Sequence, residues 1–114
     1  MIRAMEPRQR LEHEFVPQAV FGRPPAYFTS LGVGIQFREA VEYLNAYQVA
    51  ELVVDDLPFA LLHYAGTPDD ETEVYLPGSI PLERIGEVIE RIRSELDLPH
   101  AALKWQRHSA EAPF

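Results

Sequence analysis

His63 is the titratable side chain best suited to chemistry in this 114-residue sequence. It lies in an apolar, strand-like run, and an imidazole beside acidic groups can act as a general base near neutral pH. The alternative is a structural histidine that forms a hydrogen bond between strands. The carboxylates that would orient the ring of a catalytic His63 are Asp55, Glu51 and Glu73.

Two acidic pairs, Asp55-Asp56 and Asp69-Asp70, carry the oxygen donors that Ca²⁺ and Mg²⁺ prefer. Asp is also common in turns without any ligand, because its side chain forms hydrogen bonds with the local backbone. Neither segment has the alternating acidic pattern of a calcium-binding loop. The pairs are therefore candidate metal ligands, with ordinary turns as the alternative.

Other chemical signatures each lack a required residue. Gly32-Val33-Gly34 resembles the start of a dinucleotide-binding motif, but Phe37 occupies the position of the third glycine. The sequence contains no cysteine, which excludes disulfides and cysteine-based zinc sites. No two histidines are three or four residues apart, so no single helix presents two histidine ligands. We therefore predict no cofactor.

Aromatic residues form the second group of candidate site residues, because Tyr and Trp are enriched in pockets and interfaces. Tyr75 is expected to be partly exposed, since strand alternation points it away from Val74 and Leu76. Most other aromatic side chains are expected to belong to the core. The candidates for contact with a ligand or a partner are Tyr47, Tyr64, Tyr75 and Trp105.

The charge is unevenly distributed. The net charge is −8, and residues 39–97 contain fourteen acidic residues but only three basic ones. This disfavours nucleic acid as a ligand, because phosphate binding needs clustered Lys and Arg. An acidic surface suits a basic partner, whereas a surface that only maintains solubility is the alternative. The sequence shows no apolar run of membrane-spanning length and no secretory signal, so we expect a cytoplasmic protein without membrane contact.

The elements that must position these residues are predicted from periodicity and turn chemistry. An apolar stripe predicts a long helix over residues 80–96, which is not stable alone and must lie on a sheet. A shorter helix is predicted over residues 36–47, with a strand through Val33, Ile35 and Phe37 as the alternative. Strands are predicted at residues 50–54, 58–65, 72–76 and 102–106, with an edge strand at 15–21.

The predicted fold is an α+β domain with a mostly antiparallel sheet of four to five strands. Residues 13–107 form this single domain, residues 1–12 form a flexible arm, and residues 108–114 form a frayed tail. The long helix covers one face of the sheet. The other face needs cover from the short helix or from a second copy of the chain, and an isologous dimer is the commonest solution.

These features predict a small, soluble, non-enzymatic binding domain that self-associates as a homodimer. Its ligand would be a protein partner or a small apolar molecule held among the tyrosines. Two other classes of function stay open. One is a small enzyme that uses His63 as general base, and the other is an acidic inhibitor or antidote protein that binds a basic partner.

Overall fold

The computed structural model of the chain describes residues 2–5, 14–31 and 34–107. These residues form one seven-stranded antiparallel sheet and two helices of five and fourteen residues, neither of which is long and apolar enough to span a bilayer. In chain order the elements are β1 (Ile2–Ala4), β2 (Phe15–Phe21), α1 (Pro25–Thr29), β3 (Arg38–Glu42), β4 (Asn45–Val54), β5 (Leu57–Tyr64), β6 (Thr72–Pro77), α2 (Leu82–Glu95), a 3₁₀ turn (His100–Ala102) and β7 (Leu103–Gln106).

The ten-residue strand β4 organises the sheet. One of its edges pairs with β5, and the other edge is shared by β3, opposite residues 45–49, and β1, opposite residues 52–54. Strands β3 to β6 form a meander, because their short connections permit only antiparallel neighbours. Strand β2 lies between β6 and β7 and is antiparallel to both. Strands β6 and β7 therefore run parallel, and α2 connects them.

Helix α2 covers one face of the sheet with an apolar stripe. Its residues Ile85, Ile89 and Ile92 are at most 2 % exposed, and they belong to the same core cluster as Phe59 and Leu61 of β5. Each such side chain contributes roughly 1.5–3 kcal/mol through burial. The main core therefore lies between α2 and this face of the sheet, which we call the first face.

The predicted fold is wrong in its strand count, in the helix expected over residues 36–47, and in the edge position expected for residues 15–21, which form β2 between β6 and β7. The sheet has seven strands instead of four to five, and the helix packed on it has only fourteen residues. The β3–β4 hairpin occupies the segment 36–47 that was predicted as helix. A helix there would need a buried stripe, but Val41 and Leu44 are 71 % and 97 % exposed. Pairing of β3 with β4, which is itself paired with β5, outweighs the helical propensity of the segment.

The second face of the sheet carries a smaller apolar cluster. Val49, Ala60 and Leu62 are only 4–7 % exposed, and the tyrosines of β4, β5 and β6 pack against them. Helix α1 does not cover this face, because its buried Phe28 belongs to the core of the first face. The centre of the second face is thus buried within one chain, and no second copy of the chain is needed to cover it.

The N-terminal residues contribute to the sheet. Ile2–Ala4, which the sequence places in a flexible arm, form β1 and pair with the end of β4. Met5 continues this strand, since its amide donates a hydrogen bond of 2.9 Å to the carbonyl oxygen of Glu51. Residues 6–12 of the predicted arm and residues 108–114 of the predicted tail lie outside the described residues.

Candidate binding surface at the hairpin end of the sheet

The β3–β4 hairpin forms one end of the sheet, and the β5–β6 loop lies beside it. The amide of Ala65 donates a hydrogen bond of 2.8 Å to the carbonyl oxygen of Ala46, which ties the loop to the hairpin. We call residues 39–48 and 63–71 together the hairpin end. Five of the predicted site residues lie here, namely Tyr47, Tyr64, His63, Asp69 and Asp70.

Cross-strand pairing separates these side chains onto two faces, because directly opposed residues share a face. His63 is opposite Gln48, and Gln48 is opposite Glu39. These three residues form a row across three strands on the first face, which we call the polar row. Tyr64 is opposite Tyr47, and this pair lies on the second face.

A short hydrogen bond fixes the ring of His63. Its Nδ1 lies 2.7 Å from the backbone carbonyl oxygen of Glu71, and the hydroxyl oxygen of Thr67 is 3.5 Å from the same nitrogen. A carbonyl oxygen only accepts hydrogen bonds, so Nδ1 carries the proton and donates it. The polar row lines an open cleft of about 390 Å³, together with Val41, Ala46, Ala65 and other residues of the hairpin.

The carboxylates predicted to orient His63 lie elsewhere. Glu51 and Glu73 are opposite Ala60 and Leu62, respectively, which places both acids on the second face. Asp55 lies in the β4–β5 turn at the other end of the sheet. The structure brings none of the three to His63, and the backbone carbonyl of Glu71 takes the orienting role.

Three tyrosines come together on the second face. The ring centroids of Tyr47 and Tyr64 are 5.1 Å apart, and the Tyr64 hydroxyl donates a hydrogen bond of 3.4 Å to the carboxylate of Glu42. Burial raises the pKa of the Tyr64 hydroxyl above its ordinary value. Burial, followed by the negative charge of Glu73, also raises the pKa of Tyr75. As predicted, Tyr75 is partly exposed and faces away from the buried neighbours on either side of it.

The tip of the hairpin exposes large apolar side chains. Tyr43 and Leu44 are 89 % and 97 % exposed, and Val41 beside them is 71 % exposed. The two tip residues have φ values of 49° and 70°, in the left-handed region. This conformation is costly for residues with a Cβ atom, and Asn and Gly are the usual choices in such a turn. The tip therefore combines backbone strain with an exposed aromatic residue.

The segment that contains the tip is rich in acidic residues. Residues 39–83 contain ten acidic residues and no Lys or Arg. Several of these acids pair with basic residues from other segments, such as Glu71 with Lys104 at 2.8 Å. Glu39 and Glu42, in β3, have no Arg or Lys partner among the described residues. The apolar tip thus projects from a surface of net negative charge.

The remaining candidate residues lie away from the hairpin end or do not converge. Trp105 is in β7, at the opposite edge of the sheet, where it pairs with Val20. The pairs Asp55-Asp56 and Asp69-Asp70 lie at opposite ends of β5, because successive turns of a meander alternate between the two ends of the sheet. Within the described residues there is no group of three or more His, Asp or Glu that could hold a metal ion.

A second concavity lies at the far end of the sheet. This groove of about 580 Å³ runs between the β4–β5 turn and α2, with Val54, Leu57 and Val88 among its apolar lining. Asp55 and Arg91 also line it and form an ion pair of 2.6 Å, so charged side chains already bind each other at this site. The groove therefore offers fewer unsatisfied groups to a ligand than the hairpin end does.

Sequence reasoning missed the tip residues and Glu39. Tyr43 and Leu44 lie within the helix predicted over residues 36–47, and the turn that they form lacks the Asn-Gly signature that marks a two-residue hairpin. A usable signal was the run of strand-forming residues that extends over 47–54. The strand predicted over residues 50–54 therefore begins too late. Extending that strand towards its N-terminus would have placed a turn near residue 44.

The chemical groups of the hairpin end themselves indicate what this surface can bind. Comparison of the chain with known proteins finds no matching family model, no matching curated protein and no matching solved structure. The groups present are an apolar tip, a cleft lined by hydrogen-bond acceptors and unneutralised carboxylates. Such a surface can bury apolar side chains and attract cations.

Proposed function

We propose that this protein is a non-enzymatic interaction domain whose hairpin end binds a basic protein partner. The observation that carries the proposal is the 89 % exposure of Tyr43, next to Leu44, which is 97 % exposed, in a strained turn. Exposed apolar clusters mark interaction sites, and backbone strain is concentrated where it serves binding. An aromatic residue presented in this way is a typical binding anchor.

The charge of the hairpin end supports a basic partner. Carboxylates in β3 flank the tip, and residues 39–83 contain no Lys or Arg, while Arg38 at the start of β3 pairs with Glu51. A cationic partner would be attracted over several ångströms before contact, which raises its association rate. A second copy of the chain would bring acids against acids, and such like-charge contacts are unfavourable. We therefore propose a basic protein and not a second copy as the occupant.

The test uses a random peptide library displayed on phage and selected against the full chain. We expect the selected peptides to combine Arg or Lys with apolar residues. We expect the tip variant Tyr43→Asn/Leu44→Gly to bind them at least about tenfold more weakly, because loss of an anchor costs about 2 kcal/mol or more. Selection of acidic peptides, or equal affinity for both proteins, would overturn the proposal.

Two controls make the result specific. Asp56→Gly changes the corresponding position of the β4–β5 turn, which has φ of 67°, and should leave peptide binding unchanged. Sedimentation equilibrium of the wild-type chain tests whether a second copy of the chain occupies the hairpin end. Self-association that the tip variant abolishes would identify a second copy as the partner and would contradict the proposal of a basic protein.

A further inference from the structure

The cleft behind the hairpin has a composition that points to one kind of ligand group. Glu39, Gln48 and His63 occupy directly paired positions on three adjacent strands. At about 4.8 Å per strand, their backbones span roughly 10 Å across the sheet. The cleft that they line measures about 390 Å³, which is sufficient for one long side chain.

The polar row presents hydrogen-bond acceptors. Because Nδ1 of His63 donates to the carbonyl oxygen of Glu71, the neutral ring offers Nε2 as an acceptor. Glu39 adds a carboxylate, and Gln48 adds an amide group whose oxygen accepts and whose NH₂ group donates hydrogen bonds. No Lys or Arg is among the residues that line this cleft. A ligand that fits must therefore supply donors, and a positive charge would match the carboxylate.

The remaining walls of the cleft are apolar. Val41, Ala46 and Ala65 lie next to the polar row and line the same space. Long cationic side chains place their methylene stems along apolar surface and their charged ends at polar groups. A guanidinium also offers five N–H donors in a planar fork, which suits several acceptors arranged in one row better than the compact ammonium of Lys.

We infer that this cleft is a subsite for an arginine side chain of the basic partner. The inference rests on the proposed function, because the cleft and the apolar tip belong to the same hairpin. The guanidinium binds the carboxylate of Glu39 and donates to His63 Nε2, while its stem lies against Val41. The tip supplies apolar anchoring, and the cleft supplies selection for arginine.

The experiment uses three small probes that differ in the end group of the side chain and, for the lysine analogue, also by one methylene group. They are N-acetyl-arginine methylamide, its lysine analogue and its citrulline analogue, which is uncharged but similar in shape. Each is titrated into the ¹⁵N-labelled full chain, and amide shifts are followed by NMR. We expect the arginine probe to shift the amides of Gln48, His63 and Ala65 saturably, with Kd on the order of millimolar.

A matched pair of variants tests the role of the carboxylate. Glu39→Gln should weaken binding of the arginine probe about tenfold, since hydrogen bonds to charged groups are worth about 1.5–3 kcal/mol. Glu83→Gln, at an exposed position in the first turn of α2, should leave it unchanged. Equal binding of citrulline or of lysine, absence of saturable shifts, or insensitivity to Glu39→Gln would each overturn the inference.

Failure of the inference and failure of the proposed function give different results. If tip-dependent peptide binding is observed but the arginine probe does not bind, the proposed arginine subsite is refuted and the proposed interaction domain is retained. If the arginine probe binds as expected but the selected peptides bind the wild type and the tip variant equally well, the proposed function is refuted. The tip variant Tyr43→Asn/Leu44→Gly should retain the arginine probe, because neither tip residue lines the cleft.

Discussion

The carboxylate of Asp55 accepts a hydrogen bond of 2.6 Å from Nε of Arg91. This contact joins the β4–β5 turn to α2, and Arg91 also pairs with Glu95 at 3.0 Å. The hydrogen bond from Arg91 lowers the pKa of Asp55 below its ordinary value. The folded state therefore favours the ionised carboxylate, and this preference makes stability depend on pH.

We expect Asp55→Asn to reduce stability more at neutral pH than in acid. A lowered pKa in the folded state stabilises the protein above about pH 4, where the unfolded carboxyl is ionised, and the contribution is lost as pH falls through the folded pKa. Asn also tolerates the left-handed conformation of this turn, so the substitution mainly removes charge. The effect should be small and salt-sensitive, because the pair is solvent-exposed. Urea titrations from pH 7 to pH 3 measure it, and a difference that stays constant over this range would refute the prediction.

Relief of strain at the hairpin tip should stabilise the fold. Leu44 has φ of 70°, so Leu44→Gly should raise the free energy of unfolding by about 1 kcal/mol or more. Asp56→Gly is the matched control, since Asp56 occupies the same turn position with φ of 67° and Asp tolerates it better. Chemical denaturation compares the two. An equal gain in both variants would show that the side chain of Leu44 adds no strain.

The partly buried side chain of Tyr75 should make the protein sensitive to alkali. Its pKa is raised in the folded state, so the unfolded chain releases this proton first. The associated stability is complete below about pH 10 and is lost as pH rises above that value. Tyr75→Phe should flatten the dependence of stability on pH above 10, whereas Tyr43→Phe, at an exposed position, should not. Thermal melts between pH 8 and pH 11 provide the measurement.

Thr72 should contribute through a buried hydrogen bond. Its side chain is fully buried, and its hydroxyl donates a hydrogen bond of 2.7 Å to the carbonyl oxygen of Arg23. Thr72→Val keeps the shape but leaves that carbonyl without its donor, which should cost about 1–3 kcal/mol. Thr29→Val removes a surface hydroxyl bond, of 3.0 Å to Ala26, and should cost less. Denaturant midpoints for the two variants decide the question, and equal losses would argue against the buried bond.

Local sequence signals were sufficient to predict the position of an element where its own residues determine it. Helix α2 lies within the predicted range 80–96, because its apolar stripe and the proline before it are local features. Turn residues in the sequence also predict the limits of two strands: β5 begins after Asp55-Asp56, and β6 ends at Pro77-Gly78. The register that brings Tyr47 beside Tyr64 depends on pairing between strands, and sequence alone named these residues without placing them together.

The β3–β4 hairpin was missed for a physical reason. Residues 39–44 favour a helix when considered alone, and only pairing of β3 with β4, which is itself held by β5 and by burial of Val49, makes the extended conformation more stable. The turn residues Tyr43 and Leu44 also violate the preference for Asn-Gly. A strained, exposed turn is the kind of feature that sequence rules miss, because its local cost is offset elsewhere in the fold.

The insertion of β2 between β6 and β7 has a consequence for synthesis of the chain. Residues 15–21 leave the ribosome long before residues 72–77 and 103–106 exist. During this interval an apolar strand has neither of its neighbours, and unpaired strands of nascent chains are prone to aggregation. Strand β2 is therefore vulnerable until residues 103–106 have been synthesised, and truncated products that lack β7 should precipitate in cells instead of accumulating as folded fragments.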